Sequence, residues 1–332
     1  MIKTKFLWYL LVFALLFATA CNKDDDEETP AINESAVLAS YMESTSSPLG
    51  KYYVNTDMPS IMAASEVKTL NATGQVYIID IRTADDFAAG HIENAHNVAF
   101  GDLLSHVEGI DMAAYEKVAI VCYSGQTAAY GASILRLMGY SKVFSMKWGM
   151  SSWNADFAGS WNSNIANTYA SQFTADPTDK GAKGAMPVLS TGQTTGQAIL
   201  EARVATLLSE GFTPAKISKG DVFNALTNYY IVNYWPANHY ENPGHIPGAM
   251  QYTPKESIAL DADLKTLPAD KTIAVYCYTG QTSAYLTAYL RLLGYDAKSI
   301  LFGTNGMIYD EMVDQGLTVF NEDQIMGYEY VN

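Results

Sequence analysis

The 332-residue sequence predicts an α/β protein in which one unit is written twice, each copy a parallel sheet flanked by helices on both faces. Three observations lead there. Cys122 to Tyr140 recurs as Cys277 to Tyr295, with 12 of 19 positions identical at an offset of 155. Short, fully apolar, β-rich runs alternate with helical patterns in both copies. The apolar fraction, 48%, supplies material for two packed cores. A period this long marks whole domains rather than the short units of a solenoid.

In chain order, Lys3 and Lys5 precede an apolar run over 6–18, and small residues lead to Cys21. A positive start, a short apolar core and small residues before a cut describe a secretory signal. The run is too short to cross a bilayer as a helix, which takes about 20 residues. The cysteine after the small residues resembles a bacterial lipoprotein signal, which implies that Cys21 is acylated and becomes the mature N-terminus. The expected location is the cell envelope, with the protein lipid-anchored at the outer membrane and facing the periplasm or the surface. Asn22 to Glu28 carries five consecutive acidic residues, read as a solvated tether or a surface-export tag.

In the first copy, strands are expected over 76–79, 118–121 and 143–146, with a helix over 128–138 stopped by Gly139. The second repeats the order, with strands over 230–232, 273–276 and 299–302 and a helix over 283–293. Between them lies a stretch rich in Asn, Ser, Thr, Gly and Ala with little periodicity. The expected divisions are a signal peptide over 1–20, an acidic tether over 21–50, a first domain over 51–161, a linker over 162–197 and a second domain over 198–332.

Charge and cysteine usage exclude several functions. The formal net charge is −15, and loss of residues 1–20 with their two lysines makes it −17. Such a balance argues against a nucleic-acid partner. Three cysteines exclude a disulfide-dense scaffold, and no zinc spacing or multi-histidine metal centre is present.

Cys122 and Cys277 each follow an apolar strand and open a glycine loop that leads into a helix. Ligand sites of parallel sheets lie at the carboxyl ends of strands. Gly125 and Gly280 allow the loop N–H groups to turn inward, and the helix N-terminus adds its own. This environment is expected to lower the thiol pKa and hold an anionic sulfur. A phosphatase loop would carry arginine six residues after the cysteine, where Ala128 and Ser283 stand.

These residues resemble the rhodanese family. The first copy has Asp80-Ile81-Arg82, Phe87, Gly90-His91-Ile92 and the loop Cys122, Tyr123, Ser124, Gly125, Gln126, Thr127. The second has Gly244-His245-Ile246 and Cys277, Tyr278, Thr279, Gly280, Gln281, Thr282, with Asn233 and Trp235 in place of the Asp and Arg. The resemblance implies two tandem rhodanese-like domains and thiosulfate sulfurtransferase-like chemistry. A sulfane donor such as thiosulfate loads the cysteine as a persulfide, and a thiol or cyanide accepts the sulfur, with no other cofactor and no metal. It implies Cys122 and Cys277 as catalytic, the loop residues as substrate-binding, and Asp80, Arg82, His91 and His245 as loop support. Tyr123 and Tyr278 stand where many members carry a basic residue. The alternative is a lipoprotein that binds sulfide or persulfide, or only a partner, without turnover.

Overall fold

The computed structural model describes residues 32–332. Each copy forms a five-stranded parallel sheet. The first contains β1 (Ile61–Met62), β2 (Val76–Asp80), β3 (Ala95–Asn97), β4 (Lys117–Val121) and β5 (Val143–Met146), in the order β1-β5-β4-β2-β3. The second contains β6 (Lys216–Ile217), β7 (Tyr230–Asn233), β8 (Met250–Gln251), β9 (Ile273–Tyr276) and β10 (Ala297–Ile300), in the equivalent order β6-β10-β9-β7-β8. The central strands β4 and β9 are apolar and buried on both faces, so helices must cover both sides. The two-domain α/β architecture read from the sequence is the architecture observed.

Each central strand leads through its cysteine loop into a helix, Gln126–Leu137 after β4 and Gln281–Leu292 after β9. These two helices pack against each other and join the domains through one shared core. Tyr285 and Tyr289 are fully buried there, and burial of each such side chain contributes roughly 1.5–3 kcal/mol. The contact is also polar: Ser133 Oγ donates to the Tyr285 carbonyl at 2.9 Å, and the Tyr285 hydroxyl donates to the Ser60 carbonyl.

Two stretches differ from the sequence reading. The acidic tether expected over 21–50 gives way to a helix, Glu34–Glu43, capped by Asn33 and packed on the helix Gly196–Glu210. Its Ser35 hydroxyl donates to the Leu293 carbonyl at 2.6 Å. Leu38, Ala39 and Met42 are buried, and this apolar spacing is what the run of charges upstream hides.

The stretch expected as a linker over 162–197 is a cover. Thr174 bridges His245 of the second domain in antiparallel fashion, and Val331 bridges His91 of the first in the same way. Each domain therefore lends the segment that follows its sheet to its neighbour. The C-terminal tail lies along the first domain, where the Trp153 indole donates to the Glu329 carbonyl at 2.9 Å and the Tyr328 N–H donates to the Trp153 carbonyl at 2.8 Å. Extended segments satisfied by another domain carry no periodicity of their own, so the sequence shows them as loops. The expected signal and Cys21 lie outside the described residues. Among the described residues, no helix is long and apolar enough to cross a membrane.

Candidate active site

Each cysteine sits one residue past its central strand, at the carboxyl end of the sheet. Gly125 adopts φ 80° and Gly280 φ 76°, left-handed conformations that turn the chain from loop into helix. Neither helix has a side-chain cap, and the thiol takes that place. Cys122 Sγ accepts the N–H of Gly125 at 3.2 Å and of Ala128 at 3.4 Å. Cys277 Sγ accepts the Ser283 N–H at 3.3 Å and donates to the Ser283 hydroxyl at 3.6 Å. Both thiols are free, 6% and 2% exposed respectively.

The loops rest on rigid backing. The Met150 N–H donates to the Cys122 carbonyl at 2.8 Å, and the Ser151 N–H and hydroxyl both donate to that of Tyr123. In the second domain Thr304 and Asn305 do the same for Cys277 and Tyr278. Gly149, at φ 62°, approaches so closely that an added Cβ would stand 2.2 Å from the Cys122 carbonyl oxygen. Gly303 repeats the arrangement, 2.3 Å from that of Cys277.

The electrostatics of the first site depart from the expectation of an acidified thiol. Burial pushes the Cys122 thiol above its ordinary value. The N–H groups of Ala128, Gly125 and Ser124 only partly offset this, and the Asp80 carboxylate adds to the upward push. Desolvation outweighs the loop donors because the sulfur is almost out of reach of water.

Asp80 and Arg82 form a buried pair. The guanidinium donates to both carboxylate oxygens, with Nη2–Oδ2 at 2.6 Å, and Nη2 also donates to the Gly90 carbonyl at 2.7 Å. Burial disfavours the arginine charge, but the Asp80 hydrogen bond and charge outweigh it and hold Arg82 above its ordinary value. The guanidinium stands over the rings of Tyr123 and Phe157, 5.1 and 5.3 Å from their centroids. Thr83, and after it Tyr123, pull the nearby Asp86 carboxyl below its ordinary value.

The second site keeps the geometry and loses the charges. Asn233 donates to the Tyr276 hydroxyl at 2.8 Å, Trp235 lies 5.1 Å from the Tyr278 ring, and His239 Nδ1 bonds the Tyr278 hydroxyl. Asn233, Trp235 and His239 follow Asp80, Arg82 and Asp86 at a constant offset of 153. Asp86 and His239 escaped the sequence reading; that offset was the signal that could have found them.

The remaining candidates separate into two groups. Tyr123, 36% exposed, and the half-buried Tyr278, Ser124, Thr127 and Thr282 border the loops, whereas Thr279, Gln126 and Gln281 are buried. Trp148 and Trp235 are core. His91 and His245 do not belong to the thiol environment. His91 Nδ1 faces the Phe87 carbonyl at 2.9 Å, and both ring nitrogens of His245 face carbonyls, of Tyr240 and Asp176. The His245 ring meets the cover segment at Asp176, whereas His91 meets the tail through its backbone, at Val331.

The rhodanese-like domain family matches residues 63–156 and 215–307, more than half of the chain. A thiosulfate sulfurtransferase GlpE of Pseudomonas putida is 32% identical over 80 residues, covering 24% of this chain and 71% of that protein. Its namesake in Shewanella oneidensis is 28% identical over 93 residues, covering 28% and 90%. Among solved structures, the human single-domain sulfurtransferase TSTD1 aligns at 21% identity over 26% of this chain and 88% of its own, with a TM-score of 0.23. Two matched domains, each built on the sheet and cysteine loop described above, make this chain a tandem member of the rhodanese family of sulfurtransferases.

Proposed function

We propose that the protein transfers sulfane sulfur from thiosulfate or a similar donor to a thiol or cyanide through a cysteine persulfide. The observation that carries this reading is the repeated thiol cap: in both loops the sulfur accepts backbone N–H groups at the start of a helix. An outer sulfur added there would meet the same N–H groups and the positive end of the helix dipole. The thiolate attacks the sulfane sulfur of the donor, the S–S bond breaks, and sulfite leaves with the electron pair. The acceptor then attacks the outer persulfide sulfur and returns the thiolate. The thiol proton passes to water before the attack, a step that burial makes costlier at Cys122.

Intact-mass spectrometry after incubation with thiosulfate tests this, with Cys122→Ser and Cys277→Ser assigning the site. Addition of one sulfur, about 32 Da, followed by its loss to cyanide supports turnover. Sulfur that loads but never transfers would favour the binding reading, which the 2% exposure of Cys277 supports. No added sulfur from thiosulfate, polysulfide or an organic persulfide would refute both. Lipid anchoring in the cell envelope is part of the proposal and rests on residues 1–21; incorporation of a labelled fatty acid, abolished by Cys21→Ser, tests it.

A further inference from the structure

A cavity of about 660 Å³ opens between the segment that follows the first sheet and the C-terminal tail. Ala158 and Ile165 line it on one side, Glu322 and Ile325 on the other, and no residue of either cysteine loop takes part. Its volume lies within the range of small-molecule sites, about 300–1,000 Å³. The apolar wall is the outer side of an aromatic cluster. Ala158 belongs to that cluster with Trp148, Trp161 and Phe320, and Ile165 and Ile325 pack against it. Trp161 stacks on Phe320 at 5.4 Å and meets Trp148 edge-on at 4.8 Å, so the wall is held by fully buried rings.

The charge around the cavity has one sign. Glu322 lines it, none of the ion pairs among the described residues uses that carboxylate, and no lysine, arginine or histidine is part of the lining. Lys219 donates to the Asn164 carbonyl at 3.1 Å, beside Ile165, but does not line the cavity. Asp156, Asp310 and Asp323 each adjoin a lining residue in the chain. Burial, and after it the Asp310 carboxylate, push the lining Tyr309 phenol above its ordinary value. Negative charge is therefore disfavoured at this rim and positive charge favoured. The Tyr309 hydroxyl is already spent, donating to the Phe320 carbonyl at 2.8 Å.

We infer that this cavity is a binding site for a small organic cation, an ammonium group carried on an apolar body. The body lies against Ala158, Ile165 and Ile325, where it removes apolar surface from water, and the ammonium meets the Glu322 carboxylate at the rim. The site is separate from the sulfur chemistry and does not depend on it. It adjoins that chemistry through one contact: the Trp161 indole, behind the apolar wall, donates to the Ser124 carbonyl of the first cysteine loop at 3.2 Å.

The test uses full-length protein carrying Cys122→Ser and Cys277→Ser, so that sulfur transfer plays no part. Calorimetry compares three probes of one shape and different charge: phenylbutylammonium, phenylbutanol and phenylbutyrate. The ammonium should bind at about 1 mM or tighter, the alcohol about three-fold more weakly, and the carboxylate more weakly again. Glu322→Gln should lower the ammonium to the affinity of the alcohol and leave the alcohol unchanged. Ala155→Phe, at an exposed lining position, should fill the cavity mouth and weaken both by about ten-fold. Both positions are exposed, so neither change removes core packing. No binding of the ammonium, equal binding of the three probes, or binding that neither substitution alters overturns the site. None of these results bears on the sulfurtransferase reading, which the sulfur-loading experiment tests by itself.

Discussion

Gln126 and Gln281 cross the boundary between the domains, each reaching the loop of the other. Gln126 Oε1 accepts the Phe302 N–H at 2.7 Å, and Gln281 Oε1 accepts the Trp148 N–H at 3.2 Å. Trp148 and Phe302 precede the glycines that back the two cysteine loops, and both stand at φ 63°. The backing of each thiol is therefore fixed from the opposite domain, by a residue of the opposite loop. This makes the tandem arrangement part of the site.

Removing either amide should weaken the neighbouring domain as well as its own. Gln126→Ala leaves the Phe302 N–H without its acceptor, and Gln281→Ala does the same to Trp148; an unsatisfied buried donor costs about 1–3 kcal/mol. Urea unfolding should show a loss of that size in each variant. Persulfide yield should fall mainly at Cys277 for Gln126→Ala and mainly at Cys122 for Gln281→Ala. A yield that falls only at the mutated loop's own cysteine would sink the cross-domain account.

The buried Asp80–Arg82 pair supports a second prediction. Asp80→Asn leaves a desolvated guanidinium without its counter-charge, and breaking such a pair typically costs about 3–5 kcal/mol. The same change removes a carboxylate that disfavours the Cys122 thiolate. Asp80→Asn should therefore melt at lower temperature and yet shift the pH midpoint of Cys122 alkylation downward. Loss of stability with an unmoved or raised midpoint would show that Asp80 does not act on the sulfur.

Much of this was legible in the sequence, for physical reasons that can be named. The strands over 143–146 and 273–276 appear where expected because a fully buried parallel strand is a short apolar run. The cysteine loops were legible because Gly125 and Gly280 mark left-handed turns at matching places. The helix after Cys122 begins at Gln126, two residues before the apolar pattern, because a thiol caps it and no Ser, Thr, Asp or Asn announces the start. Tertiary relations were not legible: the crossing of Gln126 and Gln281 and the exchanged cover segments. They depend on how two domains pack, which no local pattern encodes.

The exchanged tail gives a third prediction. Residues 321–332 cover the first domain: Tyr328 stacks edge-on with Trp153 at 5.0 Å, and Tyr330 with Phe157 at 4.9 Å. Deleting them uncovers Trp153 and Phe157, at a cost of about 3 kcal/mol or more for two large aromatic side chains. Thermal unfolding should shift down and tryptophan emission should move to the red. Phe157 also flanks Arg82, so sulfur loading at Cys122 should fall more than at Cys277. Equal loading at both cysteines, with unchanged melting, would show that the cover is dispensable.

The reactivity of Cys122 follows from two effects of the same sign. Cys122 is only 6% exposed, so a reagent must wait for the loop to open. Burial and Asp80 also hold the thiol above its ordinary value, so at neutral pH the thiolate fraction is lower than that of an unfolded cysteine. Raised in the folded state, the thiol favours the native protein while protonated; that contribution is full below the unfolded thiol value and is lost as pH rises through the folded one. Iodoacetamide should therefore label Cys122 in native Cys277→Ser protein more slowly than in the denatured chain at pH 7. The native rate should keep rising at alkaline pH after the denatured rate has levelled off. Thiosulfate treatment should reverse the order if a persulfide forms, because an outer sulfur held as an anion by the loop N–H groups is ionised at neutral pH where the thiol is not. Faster labelling of the untreated native protein at pH 7, with a midpoint below the ordinary thiol value, would mean that the loop donors outweigh burial after all.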